Sequence, residues 1–226
     1  MPENGSEPAR GTRVFLRPIA SPFPLGFSGL ATASLLAAGL ELKWFTGADQ
    51  TVVALVLIGF SFPLQFLASI FGFLGRDTSA ATSFGVQAGT WLLVGLDLLL
   101  SRPGSVSHAL GVFLFASAGA VLLCALGSAL GKLVPAAILL LVSMRYLVTG
   151  LYEVSGSAAL EQAAAIIGLI LVAACAYAVL AMEMEDLQRQ TVLPLLRRAS
   201  GRRAMEAGLT DQEQRVQHEA GVREQL

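Results

Sequence analysis

The stretch from Thr51 to Leu100 decides the fold. It reads TVVALVLIGFSFPLQFLASIFGFL over residues 51–74, GRDT over 75–78 and SAATSFGVQAGTWLLVGLDLLL over 79–100. Each apolar run is as long as the roughly 20 residues that an α-helix needs to cross a membrane. Because only four residues separate the runs, the two predicted spans must form a tight antiparallel hairpin.

Four more apolar runs flank this hairpin. They cover residues 24–42, 107–130, 133–151 and 158–182. The alternation of apolar and polar residues that is typical of membrane β-strands is absent, and Leu, Ala and Gly dominate. The sequence therefore predicts an all-α integral membrane protein with six transmembrane helices and both termini on the same side.

Charge divides the chain into three segments. Only 14% of the 226 residues are charged, whereas a soluble domain has about 25%. Of the 31 Asp, Glu, Lys and Arg residues, five lie in residues 1–17, fifteen in 183–226 and eleven in the 165 residues between. We expect an N-terminal segment over 1–20, a transmembrane domain over 21–183 and a charged C-terminal tail over 184–226.

The positions of Lys and Arg predict the orientation. Lys43 and Arg102 would lie on one side of the membrane. The other side would carry ten basic residues: Arg10, Arg13, Arg17, Arg76, Lys132, Arg189, Arg197, Arg198, Arg202 and Arg203. The positive-inside rule then places both termini in the cytoplasm. We expect a multi-pass protein of the cell (plasma or inner) membrane, with the lipid bilayer as its partner.

Residues suited to catalysis or metal binding are scarce. The chain has two histidines, His108 and His218, which are too few for a histidine-based zinc site. It contains no H-E-x-x-H, G-x-S-x-G or Walker motif. A net charge of −1 gives no reason to expect nucleic acid as a partner. We therefore expect no enzyme activity, no metal and no cofactor.

Asp97 and Arg145 are ionisable residues that fall inside predicted spans, whereas most other charged residues of the middle segment lie in loops or at span ends. Buried charges are costly and usually paired, so Asp97 and Glu153 are the expected partners of Arg145. Arg145 either has a structural role, in an ion pair or with its side chain reaching towards the surface, or attracts an anion at the outer vestibule. The sequence leaves both interpretations open.

The entry to the first span reads SPFPLGF over residues 21–27. Proline is tolerated in the first turn of a helix, where its missing N–H would be unpaired in any case. The motif is therefore either a simple helix start or an irregular backbone that lines a water-filled cavity.

Three stretches of this chain resemble the succinate–acetate permease (acetate uptake transporter) family. Ser21–Phe27 is similar to the family's Asn-Pro-Ala-Pro-Leu-Gly-Leu signature. The other two lie around the short hairpin and at the end of the last helix: Asp77-Thr78, Thr82-x-Phe84 and Trp91-Leu92, then Tyr177-Ala178, Glu183 and Thr191-Val192-Leu193-Pro194. The likeness covers roughly residues 15–196.

This resemblance implies a hexamer in which each six-helix subunit has its own pore for small monocarboxylates and, in some members, succinate. It also implies a narrow apolar waist formed by the first, third and fifth helices. By position that waist would involve Leu30, Gln87 and Val142, with Gln87 in place of an aromatic residue. The predicted substrate-pathway residues are Ser21, Pro22, Pro24, Leu25, Gly26, Leu30, Gln87, Val142 and Arg145.

The expected function is a transporter or channel for acetate-like carboxylates. No chain of Asp, Glu or His follows the spans, which favours a channel, or passage of the protonated acid, over a proton-coupled pump. Gln87 at the waist leaves open a pore of the same fold for a small neutral amide or urea. The charged tail leaves open a non-transporting scaffold or sensor.

Overall fold

The structure is a computed structural model that describes residues 20–188 and 190–198. Six helices in these residues are long and apolar enough to cross a membrane: α1 (Phe23–Glu41), α2 (Asp49–Leu74), α3 (Thr78–Leu100), α4 (His108–Ser128), α5 (Leu133–Ser155) and α6 (Ala158–Gln188). The prediction of an all-α, six-span membrane protein is therefore confirmed. Most helix ends agree closely with the predicted spans, but α5 and α6 extend beyond their predicted ends.

The orientation in the membrane stays a prediction. Six of the basic residues on which it rests lie outside the described residues: Arg10, Arg13, Arg17, Arg189, Arg202 and Arg203. We call the end of the bundle where α1 begins the proximal end, and the end where α1 finishes the distal end. The proximal end is the predicted cytoplasmic one.

The six helices close into a ring. Going round it, α1 packs on α6, α6 on α5, α5 on α4, α4 on α3, α3 on α2 and α2 on α1. Consecutive helices alternate in direction, so α1, α3 and α5 all run from the proximal to the distal end. These three are alternate members of the ring, and their inward side chains meet on its axis. Phe27 of α1 contacts Phe84 of α3, and Trp91 of α3 contacts Tyr146 of α5.

Local sequence explains how the helices begin, bend and end. Ser107 accepts a hydrogen bond from the Leu110 amide at the start of α4, as helix N-caps do. Helix α5 ends at Ser155, and the next residue, Gly156, has a φ of 66°, the left-handed conformation that favours glycine. In α2 the turn over Leu57–Ser61 is π-helical. Pro63 lies two residues after it, and the wider turn accommodates a residue that has no amide hydrogen to donate.

The first described part of the predicted tail packs on the proximal end of the bundle. Leu195 is fully buried, and its carbonyl and that of Leu196 accept hydrogen bonds from the first turn of α5. Arg197 forms an ion pair with Glu185 of α6 at 2.6 Å. The change from membrane domain to tail, predicted near residue 183, is therefore not the point at which packing against the bundle stops.

Asp77 has two roles at the start of α3. Its Oδ1 accepts from the Ala80 amide at 3.0 Å, and its Oδ2 pairs with Lys132 Nζ at 3.2 Å. Asp77→Asn keeps the cap, so we expect it to lower the free energy of unfolding by less than about 1 kcal/mol, the value of a partly exposed ion pair. Asp77→Ala also loses the cap and should cost about 1 kcal/mol more. Unfolding in mixed micelles measures both, and equal losses would contradict the capping role.

Candidate functional site

Leu30, Gln87 and Val142, the residues predicted to form the waist, lie on α1, α3 and α5. These helices are alternate members of the ring, and all three side chains are 0% exposed. No water-sized space therefore reaches them, and the axis is closed at this level. We keep the name waist for these three residues.

A second amide joins the waist from α2. Gln65 Nε2 donates to Gln87 Oε1 at 3.3 Å and to the Gly26 carbonyl at 3.4 Å. Gln87 Nε2 donates in turn to the Ser83 carbonyl at 3.1 Å. Among the described residues, Gln65 Oε1 has no hydrogen-bond partner. The waist is thus more polar than the family resemblance implies.

Sequence reasoning missed Gln65, although a signal for it exists. It is an uncharged but strongly polar residue in the middle of a 24-residue apolar run over 51–74. Polar side chains at such positions usually face the bundle interior, because lipid offers them no hydrogen-bond partner.

The proline motif forms a regular helix start. Pro22 precedes the first residue of α1, and its carbonyl accepts from the Gly26 amide at 3.1 Å. This is the simpler of the two interpretations left open by the sequence. Ser21 is exposed at the proximal end, whereas Pro22, Pro24 and Leu25 are partly buried.

Gly26 is needed for close packing below the waist. The Phe84 ring occupies the place that a Cβ at residue 26 would take. The rings of Phe23, Phe27 and Phe84 then pack with centroids 5.4–5.6 Å apart. This aromatic cluster closes the axis on the proximal side of the waist.

Lys132 joins the proximal ends of α1, α3 and α5. It is the residue that precedes α5, its Nζ lies 3.2 Å from Asp77 at the start of α3, and the same Nζ lies 4.8 Å from the Phe23 ring centroid in α1. In the sequence, Lys132 contributes only its charge to the predicted orientation. Its position beside the aromatic cluster places a cation at the proximal end of the axis.

A cavity of about 220 Å³ lies at the distal end of the bundle. Its floor includes Ala37, Val94 and Thr149. Each of these lies seven residues beyond a waist residue on the same helix, or about 10 Å along the helix axis. Charged side chains line the wall: Glu41, Lys43, Asp97, Arg102, Glu153 and Glu161. The cavity thus points along the axis towards the waist.

Arg145 does not pair with Asp97 or Glu153, and that prediction is wrong. Its guanidinium is buried and lies 3.1 Å from both carboxylate oxygens of Glu41, with a further bond to the Ala164 carbonyl at 2.5 Å. Gly168 of α6 makes this reach possible, because a Cβ there would collide with the guanidinium.

The predicted partners of Arg145 have other bonds. Asp97 accepts a hydrogen bond from Ser101, and Glu153 accepts one from the Ser107 amide at 2.7 Å. Arg145 forms the structural ion pair of the first interpretation, and it ties α5 to α1 and α6. Its predicted role in attracting an anion stays a prediction, since Glu41 balances its charge and itself lines the cavity.

Comparison with known proteins adds one fold assignment. No protein-family model matches the chain, and no curated protein matches it. A solved structure described as the bacterial acetate channel SatP superposes with a TM-score of 0.71 at 22% sequence identity. The alignment covers 79% of this chain and 99% of that one. With its ring of six membrane-length helices, the chain therefore has the fold of the bacterial acetate channel SatP.

Proposed function

We propose that the protein is a membrane channel for small monocarboxylates such as acetate, with a pathway along the axis of each six-helix ring. One observation carries the proposal. Three parallel alternate helices converge on a buried waist that separates a distal cavity from a proximal aromatic cluster and Lys132. The shared fold with a bacterial acetate channel and the resemblance in sequence support the same substrate class.

Conduction requires the waist to open. Leu30, Gln87 and Val142 are fully buried, so they and the aromatic cluster must move apart for a solute to pass. Acetic acid has a pKa close to that of a glutamate side chain, about 4.3, and is almost all anion at neutral pH. An apolar constriction imposes a desolvation cost on that anion. The amides of Gln65 and Gln87 offer polar contacts that lower this cost locally.

The proposal extends to assembly and location. We infer a hexamer, as the family resemblance implies, in the plasma or inner membrane, with both termini in the cytoplasm. Succinate belongs to the proposal as a larger dicarboxylate that a wider opening of the same waist would admit. Ser21, Pro22, Pro24, Leu25 and Gly26 form the proximal start of α1 and would flank the proximal exit.

A second candidate is a pore for urea or another small neutral amide. The pair of Gln65 and Gln87 favours it, because both side chains are fully buried and Gln65 Oε1 is an unpartnered acceptor for an N–H group. A urea molecule would avoid the desolvation cost that an anion meets at the waist.

Flux of labelled acetate, succinate and urea into proteoliposomes separates the candidates. We expect acetate flux well above that of protein-free vesicles and urea flux at background, because the fold is that of an acetate channel. Gln87→Leu should leave acetate as the preferred solute, whereas an amide pore would lose its urea flux. Selective urea flux would overturn the carboxylate proposal. The absence of any flux, with or without residues 204–226, would favour the scaffold or sensor.

A further inference from the structure

A second layer of side chains lies between the waist and the distal cavity. Ser34, Trp91 and Tyr146 each follow a waist residue by four positions, on α1, α3 and α5 respectively. The three helices run in the same direction, so one turn carries all three residues about 6 Å towards the distal end. We call this set the donor layer.

The polar atoms of the donor layer have no hydrogen-bond partners of ordinary geometry in the described residues. These atoms are Ser34 Oγ, Trp91 Nε1 and Tyr146 Oη, and the side chains are at most 3% exposed. The Tyr146 hydroxyl interacts with the Thr90 side chain, whose own hydroxyl donates to the Val86 carbonyl and lies 3.2 Å from the Ser117 hydroxyl. Buried polar groups are normally satisfied, so three such atoms at one level need an explanation.

Ser34 differs from its neighbours on the same helix. Ser28 and Thr32 each donate to the carbonyl four residues earlier, at 2.8 and 3.1 Å. That bond is the usual way in which a hydroxyl is satisfied inside a helix. Ser34 is more deeply buried than either of them, yet it makes no such bond. Its hydroxyl is thus available to another acceptor.

The chemistry of the donor layer selects its ligand. The indole N–H of Trp91 can only donate, and the hydroxyls of Ser34 and Tyr146 can also donate. Three donors suit a carboxylate, whose two oxygens accept several hydrogen bonds. Urea fits less well, because its N–H groups would face the donor-only indole.

We propose that Ser34, Trp91 and Tyr146 form a binding subsite for the carboxylate group of the permeating solute, an inference that rests on the proposed carboxylate channel. The cavity floor lies three residues further along each of the same helices, so a solute that enters from the distal end meets this layer before the waist. The Trp91 and Tyr146 rings pack edge to face at 5.9 Å and must turn apart to admit it. The hydrogen bonds gained there offset part of the desolvation before the waist is crossed.

The chain offers a direct test, because it has only two tryptophans. Trp44 is exposed in the loop after α1, so Trp44→Phe leaves Trp91 as the single fluorophore. We expect sodium acetate at constant ionic strength to change the emission of this variant saturably. Acetamide should have a much weaker effect, and sodium gluconate, which is too large for the layer, should have none.

Ser34→Ala and Tyr146→Phe in the Trp44→Phe background should each weaken the acetate Kd by about 10-fold, the value of one hydrogen bond to a charged group. Ser28→Ala is the matched control, because the Ser28 hydroxyl already has a partner, and it should leave the Kd unchanged. A saturable acetate response that Ser34→Ala and Tyr146→Phe leave unaltered would overturn the subsite, as would no response at all. Acetate flux measured on the same preparations reports separately on the channel itself.

Discussion

Replacing Arg145 with methionine should lower the free energy of unfolding by about 3–5 kcal/mol, the cost of breaking a buried ion pair from one side. The guanidinium is 2% exposed and Glu41 only 14%, so the variant leaves a carboxylate largely out of water. It also leaves the Ala164 carbonyl without its donor. Titration with a denaturing detergent in mixed micelles measures the loss.

The double variant Glu41→Gln with Arg145→Met should recover much of that loss. Replacing both members of a buried pair removes the uncompensated charge. Lys43→Met is the control, since the Lys43 side chain in the Lys43–Glu161 pair is 66% exposed and such a pair contributes less than about 1 kcal/mol. If Arg145→Met alone costs no more than Lys43→Met, the ion pair does not hold α1 and α5 together.

The same double variant decides between the two interpretations of Arg145. If it folds and keeps acetate flux, Arg145 serves only to join the helices. If it folds and loses both flux and, in the Trp44→Phe background, the acetate response of Trp91, the charge of Arg145 attracts the anion before it reaches the donor layer. Charge reversal by Arg145→Glu cannot make this distinction, because it would place two carboxylates against each other.

The sequence predicts the six helices well because each is encoded locally. A run of about 20 apolar residues has no alternative in a membrane, and the short hairpin around Asp77 fixes the neighbours α2 and α3. The ring itself is not local. Helix α1 packs between α2 and α6 because their faces are complementary, and this complementarity cannot be read from any single run of residues.

The missed features share one physical cause, which is pairing between distant residues. Glu41 is the last residue of α1, and its contact with Arg145 depends on the missing side chain of Gly168 in a third helix. The role of Gln65 becomes clear only from its hydrogen bond to Gln87 on another helix. Leu195 lies in a segment that is charged on average, so its burial follows from the contacts of one side chain rather than from composition.

Substitutions of the waist residue Leu30 should have the largest effect on acetate flux. Leu30→Trp adds bulk where the axis is already closed. If overpacking costs about 1–3 kcal/mol and falls on the conducting state, acetate flux should drop by roughly 5- to 150-fold. Leu30→Ala should act in the opposite direction, because it removes side-chain volume from the same level, and it should raise flux or admit larger acids such as succinate.

Leu35 provides the matched control for this prediction. It lies on the same helix but is 41% exposed on the outer side of the ring, so Leu35→Trp should leave acetate flux close to wild type. All three variants are compared in proteoliposomes at equal amounts of reconstituted protein. If Leu30→Ala folds and gives wild-type flux for both acetate and succinate, solutes do not pass Leu30, and a path along the ring axis is wrong. If Leu35→Trp blocks flux as strongly as Leu30→Trp, bulk added anywhere on α1 is sufficient, and the inward face has no special role.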